Sequence, residues 1–302
     1  MIHVAALVIN WNGADDTLDL VESLIEEVEP SLQIEIVVVD NASQPQDLAI
    51  LKTGLERMGK CIPIAFIAND TNVGVPAAYN QAIATVHNRD CLFLRLDNDV
   101  VFLRGGVRAL CDGLRDSRDT GVRIVGGNIR YYDKPEVHNG GACFFGLIKG
   151  SNRIVYPPQN TQCDGVLGCV MLIDPEVVRA FEPEVFLAWL FFTTDESEFS
   201  VRCRSHGWMT LYLSRSIALH KGGRSTRKIG SRSSYLSLRN WSYLALRYVQ
   251  PRVAIVLVVG RIAVTVIYKL LRGDIAAAKA MLVGSLAATR DQRQTSMSRQ
   301  GT

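Results

Sequence analysis

The sequence predicts an α/β fold, with a mostly parallel central sheet, helices on both faces and a helical appendage at the C-terminal end. Three observations lead there. Short apolar runs alternate with amphipathic segments through the first half of the chain, carboxylates and asparagines stand where those runs end, and a nearly unbroken apolar stretch covers residues 253–271.

Residues 4–9 read as a buried strand ending in Asn10-Trp11-Asn12-Gly13. Leu18, Val21, Ile25 and Val28 then recur at helical spacing behind Asp15-Asp16-Thr17. A second strand, 34–39, stops at Asp40-Asn41-Ala42-Ser43, which makes the opening a β-α-β unit. A helix over 48–58 and a strand over 62–67 come next. In Asn72-Val73-Gly74 a glycine turn precedes Pro76 at a first helical position, so a helix over 76–86 follows. The strand 91–96 exits into Asp97-Asn98-Asp99.

Beyond it the pattern predicts a helix over 105–114 and a strand over 122–125. Residues 128–158 change character, with Tyr131-Tyr132, Gly140-Gly141 and Pro157-Pro158 pointing to antiparallel hairpins and loops. Residues 165–173 resume as one buried strand, and Asp174-Pro175 opens a short helix. A further helix starts at Asp195-Glu196, with Phe199 turned to the core and Arg202 one turn later. Ile217-Ala218-Leu219 is strand-like and runs into His220.

In an open α/β sheet, ligands bind at the carboxyl ends of the strands. A pair of carboxylates there can hold a hard divalent cation that also takes diphosphate oxygens, which points Asp97 and Asp99 toward a nucleotide-diphosphate site. Acidic residues also occur in ordinary turns after strands and as helix caps, and Asp40 alone fits that second role as well.

These motifs together resemble the inverting family 2 glycosyltransferases, particularly their rhamnosyltransferase-like branch. The resemblance rests on Val8-Ile9-Asn10-Trp11-Asn12-Gly13, Val39-Asp40-Asn41-Ala42-Ser43, Asn72-Val73-Gly74 with Asn80, the D-x-D motif Asp97-Asn98-Asp99, Asp195-Glu196-Ser197-Glu198-Phe199 with Arg202 and Gly207, and His220 with Ser225. It covers roughly residues 4–240. It implies a GT-A-type nucleotide-diphospho-sugar transferase fold and a divalent cofactor, Mn or Mg. The donor would be a nucleotide-diphospho-sugar of rhamnose or a related deoxysugar, and the acceptor a surface polysaccharide or other glycan, or a lipid-linked one.

By the same resemblance Asp99 ligates the metal, while Asp97 reaches the ribose or shares the metal through water. Asp40 binds base or ribose, Asn10, Asn12, Asn72, Gly74 and Asn80 belong to the nucleotide-sugar pocket, and His220 completes the metal site or meets the diphosphate. The family usually has glutamate then aspartate at the catalytic pair, with the aspartate as base. This chain has Asp195 then Glu196, so the aligned position is Glu196, one methylene longer, and the choice between the two stays open. A capping pair at a solvated helix end is the structural alternative. The expected division is a catalytic domain over 1–240, nucleotide-binding to about 127 and acceptor-facing from 128, followed by an appendage over 241–302.

Composition sets the remaining bounds. A chain of 302 residues with 48% hydrophobic content can bury a large core, and a net charge of +3 gives no general affinity for nucleic acid. Seven cysteines without a C-x-x-C pair fit buried reduced thiols. No basic segment with an apolar signal core opens the chain, so catalysis is expected in the cytoplasm, at the inner face of the cell membrane. Arg224, Arg227, Lys228 and Arg232 cluster behind His220, and Arg290, Arg293 and Arg299 follow in the tail.

Within 253–271, Arg261, Thr265 and Lys269 lie four apart on one narrow helical face that Arg272 extends. A simple span would put Arg261 near the bilayer midplane at a cost of about 2.5–3.5 kcal/mol. A helix in the interface with its basic stripe toward headgroups is therefore expected, against an ordinary helix packed on its own domain or on a second copy in a homo-oligomer. Gly273-Asp274 breaks to a second helix, 275–288. Two rival functions remain at this point: a sugar-phosphate nucleotidylyltransferase, disfavoured because Asn10-Trp11-Asn12-Gly13 is not a glycine-rich loop with a basic residue, and a non-catalytic membrane-attached binding or scaffold subunit.

Overall fold

The computed structural model describes residues 1–146, 151–222 and 231–283, except 277 and 280. Ser225, the cluster Arg224, Arg227 and Lys228, and the tail with Arg290, Arg293 and Arg299 lie outside the described residues, as does the end of the expected helix 275–288.

The chain runs β1 (Ile2–Asn10), α1 (Ala14–Ile25), β2 (Leu32–Asp40), α2 (Pro45–Met58), β3 (Ile64–Ala68), α3 (Val75–Thr85), β4 (Leu92–Asp97), β5 (Val100–Phe102), α4 (Gly106–Ser117), β6 (Val122–Tyr131) and β7 (His138–Gly140). It continues through β8 (Ala142–Gly146), β9 (Ser151–Val155), β10 (Thr161–Cys163), β11 (Gly165–Val166), β12 (Val170–Ile173), α5 (Pro175–Phe181), α6 (Asp195–Ser205), β13 (Met209–His220), α7 (Ser231–Tyr248) and α8 (Pro251–Leu271). The main sheet has the order β10-β13-β6-β12-β4-β1-β2-β3, with β5 added on β13 and β7 on β6. Strands β4, β1, β2 and β3 are mutually parallel, and β12 lies antiparallel between β4 and β6.

Alternation along the central strands divides the core in two, because successive side chains point to opposite faces. Val4, Ala6 and Val8 of β1, with Ile34, Ile36 and Val38 of β2, pack against α1, α2 and α4 through Leu20, Leu24, Leu51 and Leu110. Their neighbours Ala5, Leu7, Ile9, Val37 and Val39 meet α3, α5 and α6 through Tyr79, Ile83, Val178 and Phe199 on the other face. Where a strand is buried on both faces it is apolar without interruption, as β1 is over residues 4–9 and β2 over residues 36–39.

Three elements differ from expectation. The strand predicted over 122–125 extends to Tyr131, because Gly126 and Gly127 do not break it; they admit neighbours so close that an added Cβ would sit 2.6 Å from Val166 and 2.8 Å from Ile217. The run 165–173 is not one strand but β11 and β12. The turn between them brings the Cys169 carbonyl to the Asp97 N–H at 3.0 Å. Residues 231–248, unassigned from sequence, form α7.

The chain divides into two compact units, one made of Met1–Phe144, Ile154–Trp189 and Phe199–Gly222, the other of Phe145–Arg153, Leu190–Glu198 and Gly223–Thr302. The second has its own small core of Leu238, Val266, Ala278 and Met281, flanked by Trp241 and Ile262. Helix α8 is long and apolar enough to cross a membrane by length and composition, with a mean hydropathy of 2.2, yet little of it is buried. Of its basic stripe, Arg261 turns inward, contrary to expectation, while Arg272 at the end of the stripe is exposed. The Arg261 guanidinium lies 4.2 Å over the Trp241 ring, Thr265 donates back to the Arg261 carbonyl, and Lys269 pairs with Asp274. The outward face carries Ile255, Val256, Val259, Val264, Ile267 and Leu271 instead.

Candidate active site

The parallel register places the polar ends of three strands side by side, Ile9 opposite Asp97 and Asn10 opposite Asp40. Asn10 is fully buried. Its Nδ2 donates to Asp40 Oδ1 at 2.8 Å, Ser43 Oγ at 3.1 Å and Asp47 Oδ2 at 3.0 Å, and its Oδ1 accepts from Thr17 and Asn98. Asp40 adds a bond from the Ser43 N–H at 3.0 Å. Both residues thus hold the loops after β1 and β2 together, as a polar group taken out of water must be hydrogen-bonded. Asn12 sits in that first loop at φ 54°, a conformation asparagine tolerates, and its Oδ1 accepts from the Gln44 N–H at 2.7 Å.

The middle residue of the acidic motif is as constrained as its neighbours. Asn98 Nδ2 donates to the Gly13 carbonyl at 3.1 Å and to Thr17 Oγ1 at 3.0 Å, fastening the turn after β4 onto the start of α1. Gly13 is required for that approach, since a Cβ there would lie 2.6 Å from Asn98 Nδ2.

On either side of Asn98, Asp97 and Asp99 are brought together with His220 from the end of β13. One oxygen of each carboxylate and one imidazole nitrogen lie within 4.8 Å of one another. His220 Nε2 is 2.9 Å from Asp99 Oδ1, and Nδ1 is 2.9 Å from Asn139 Oδ1 on β7. An amide oxygen and a carboxylate oxygen both only accept, so in this geometry both ring nitrogens donate, Nδ1 to Asn139 and Nε2 to Asp99, and loss of the Nε2 proton would free that nitrogen as a ligand. Burial alone would raise the Asp99 carboxyl, but the hydrogen bond and charge of His220 outweigh it and hold it below the usual range. Burial pushes the imidazole down, and the bond to Asp99 with the charges of Asp99 and Asp97 pushes it further up, to a net rise. Two carboxylates and an imidazole are a donor set that suits a manganese or magnesium ion. Next in the chain, Lys221 donates to Asp16 at 2.8 Å and Asp19 at 2.6 Å, tying the end of β13 to α1.

A second set of amides lines the loop before α3. Asn41 Nδ2 donates to Asn72 Oδ1 at 3.0 Å, and Asn72 Oδ1 also accepts from the Gly74 N–H at 2.9 Å. Gly74 has φ 87°, which excludes most side chains. Asn80 makes a two-way bond with the Phe186 main chain, donating to its carbonyl at 2.7 Å and accepting from its N–H at 3.0 Å. Its amide therefore fastens α3 to the segment before α6.

Asp195 and Glu196 begin α6 in the second unit. Asp195 is 3% exposed and Glu196 only half-buried. Glu198 is buried and accepts from Tyr248 Oη at 2.8 Å, a structural contact. Just before the pair, Phe191, Thr193 and Thr194 have φ of 64°, 62° and 68°. Non-glycine residues held there cost on the order of 1–3 kcal/mol each, so something must impose the conformation. From sequence Asn98 stands only as the middle residue of the acidic motif, and Asn139 and Asn240 of α7 go unmarked, since an isolated asparagine carries no periodicity and no spacing signature.

The mixed sheet with its acidic strand exit is the GT-A fold of glycosyltransferases. Residues 6–188, more than half the chain, match the family model described as Glycosyl transferase family 2, and the chain belongs to that family. It is an enzyme of glycosyl transfer. Among solved structures it resembles the mannosyltransferase PcManGT from Pyrobaculum calidifontis in complex with GDP-Man and Mn2+, at 14% identity and a TM-score of 0.60 over 94% of this chain and 86% of that one. The crystal structure of S. aureus TarS 1-349 is similar at 15% identity, TM-score 0.55, over 84% and 68% of the two chains. GalNAc-T7 with UDP, GalNAc and Mn2+ is similar at 12% identity, TM-score 0.64, over 83% of this chain and 49% of that one. At such identities the likeness is one of fold. No curated protein sequence matches the chain.

Proposed function

We propose that this protein is a metal-dependent inverting transferase that moves rhamnose or a related deoxysugar from a nucleotide-diphosphate donor to a surface-polysaccharide or lipid-linked acceptor. The observation that carries the metal-dependent part is the grouping of Asp97, Asp99 and His220 at the strand ends of a family 2 chain. Structures of similar fold are described with UDP-GlcNAc in one case and GDP-Man with Mn2+ in another, which supports a nucleotide-sugar donor. The rhamnosyltransferase-like character rests on the motif resemblance alone.

In this mechanism Asp97, Asp99 and His220 hold the divalent ion, which when bound neutralises charge developing on the leaving diphosphate. Asp40, Asn12 and Asn72 bind base and ribose, on loops kept in place by Asn10 and Asn41. A carboxylate oxygen of Glu196, or of Asp195, takes the proton of the acceptor hydroxyl as the hydroxyl oxygen attacks the sugar carbon from the side opposite the diphosphate; the bond from that carbon to the diphosphate oxygen breaks and the nucleoside diphosphate leaves, which inverts the configuration. Residues 1–240 carry this chemistry. The outward apolar face of α8 contacts the cytoplasmic leaflet or a second copy.

A thermal-shift screen of nucleotide-sugars with and without manganese or magnesium tests the donor side, because a ligand bound by the native state raises its stability. The expected result is a metal-dependent shift for one nucleotide class, followed by release of that nucleotide when an acceptor is supplied. A panel giving no metal-dependent shift and no release would overturn the assignment.

A further inference from the structure

The turn over residues 190–194 leads directly into Asp195 and Glu196, and three of its residues are left-handed without being glycine. One buried side chain holds it. Asn240 of α7, fully excluded from solvent, directs Nδ2 at the carbonyls of Leu190, Phe192 and Thr193 at 3.0, 2.9 and 2.9 Å. Its Oδ1 accepts from Arg239 Nε at 2.9 Å, which settles which end of the amide faces the turn. Arg239 Nη2, on the same edge of the guanidinium, donates to the Leu190 carbonyl at 3.0 Å, and the Arg232 guanidinium lies 4.4 Å over the Phe191 ring.

Three carbonyls turned toward one point repel each other unless a donor sits among them. An amide N–H2 supplies two protons there, and neither a carboxylate nor an aliphatic side chain can do so. We propose that Asn240 is a positioning residue for the general base: by holding residues 190–194 in their left-handed path it sets where the Asp195 and Glu196 carboxylates stand. The inference rests on the assignment of one of those carboxylates as the base.

The test uses the full chain with Mn2+ and the nucleotide-sugar selected by the donor screen, measuring its hydrolysis with water as acceptor and the affinity for the free nucleotide. Asn240→Ala is expected to lower kcat by about 10- to 100-fold, the scale of misplacing a reacting group, with the nucleotide Kd within about twofold. In the background of whichever of Asp195→Asn or Glu196→Gln loses the base, Asn240→Ala should cost no further rate, because it acts through that carboxylate. Losses that multiply, or a full kcat in Asn240→Ala beside an impaired base variant, would overturn the proposal. If Asn240→Ala does not fold, it is combined with Thr193→Gly and Thr194→Gly, whose left-handed conformation carries little strain. A refolded protein with low kcat supports the clamp, whereas full kcat or a failure to refold overturns it. Full rates in both carboxylate variants instead remove the base assignment, and the clamp's purpose with it.

Discussion

Individual polar residues in this protein divide into those that can meet substrate and those that hold others in place. Asp99 and Asn139 exemplify the two kinds, and their loss should read differently. Asp99→Ala should abolish turnover and metal-dependent nucleotide binding while leaving the thermal transition of the metal-free protein in place. Asn139→Ala removes only the bond that orients His220, and should weaken manganese binding by about 10–100-fold, as second-sphere partners of metal ligands do. Calorimetric titration of each variant with Mn2+ checks both, and wild-type affinity in Asp99→Ala would remove the metal assignment. For the carboxylate pair, Glu196→Gln should lower the rate by roughly 10²–10⁴-fold with donor binding nearly unchanged. If Asp195→Asn behaves that way and Glu196→Gln does not, the base is the first residue of the pair.

Elements place those residues through register and close approach. The parallel pairing of β1 with β2 and β4 brings Asn10, Asp40 and Asp97 to one edge, and the short turn between β11 and β12 caps that edge with a main-chain bond to Asp97. Between β1 and α1 the decisive feature is Gly13, whose lack of a side chain lets Asn98 reach three acceptors. Gly13→Ala should displace the Asn98 amide, cost on the order of 1–3 kcal/mol in unfolding free energy, and weaken metal binding although no ligand is changed. Urea unfolding with an unchanged m value, paired with a manganese titration, would show both effects. Unaltered metal affinity would mean that Asn98 does not set the spacing of its neighbours.

For the molecule as a whole, the question is what covers α8. Val256 and Val264 are 71% and 69% exposed, and together with Ile255, Val259, Ile267 and Leu271 they form an exposed apolar face, the kind of surface that marks a contact with lipid or protein when it is contiguous. Arg261 points the other way, onto Trp241, so beyond Arg252 at the start of the helix the described outward face from Ile255 to Leu271 carries no charge that opposes contact with acyl chains. Val256→Glu with Val264→Glu should leave the fold and nucleotide binding intact and reduce flotation with anionic liposomes several-fold. Light scattering on the same pair of proteins separates lipid from a second copy. A wild-type chain that neither floats nor self-associates would rule out both occupants.

What the sequence by itself determined is local and periodic. Alternating apolar residues specify strands and helices because each element must turn one face to a core, and the carboxylates and asparagines at their ends mark the edge where a ligand can sit. That made the α/β architecture, the acidic pair after β4, the start of α6 and the length of α8 legible. The continuation of β6 through Gly126-Gly127, the splitting of residues 165–173, and α7 with its serine-rich beginning were not legible, because contacts elsewhere in the chain override weak local preference there. Only the tertiary structure decided which asparagines matter. Asn139 finds His220 81 residues away, and Asn240 finds its three carbonyls 47 to 50 residues away. A hydrogen bond is directional and short, so its partners are settled by where the backbone places them and leave no periodic trace in the chain. The facing of α8 was decided in the same way: a four-residue spacing put Arg261, Thr265 and Lys269 on one side, and only the position of Trp241 showed that this side turns inward.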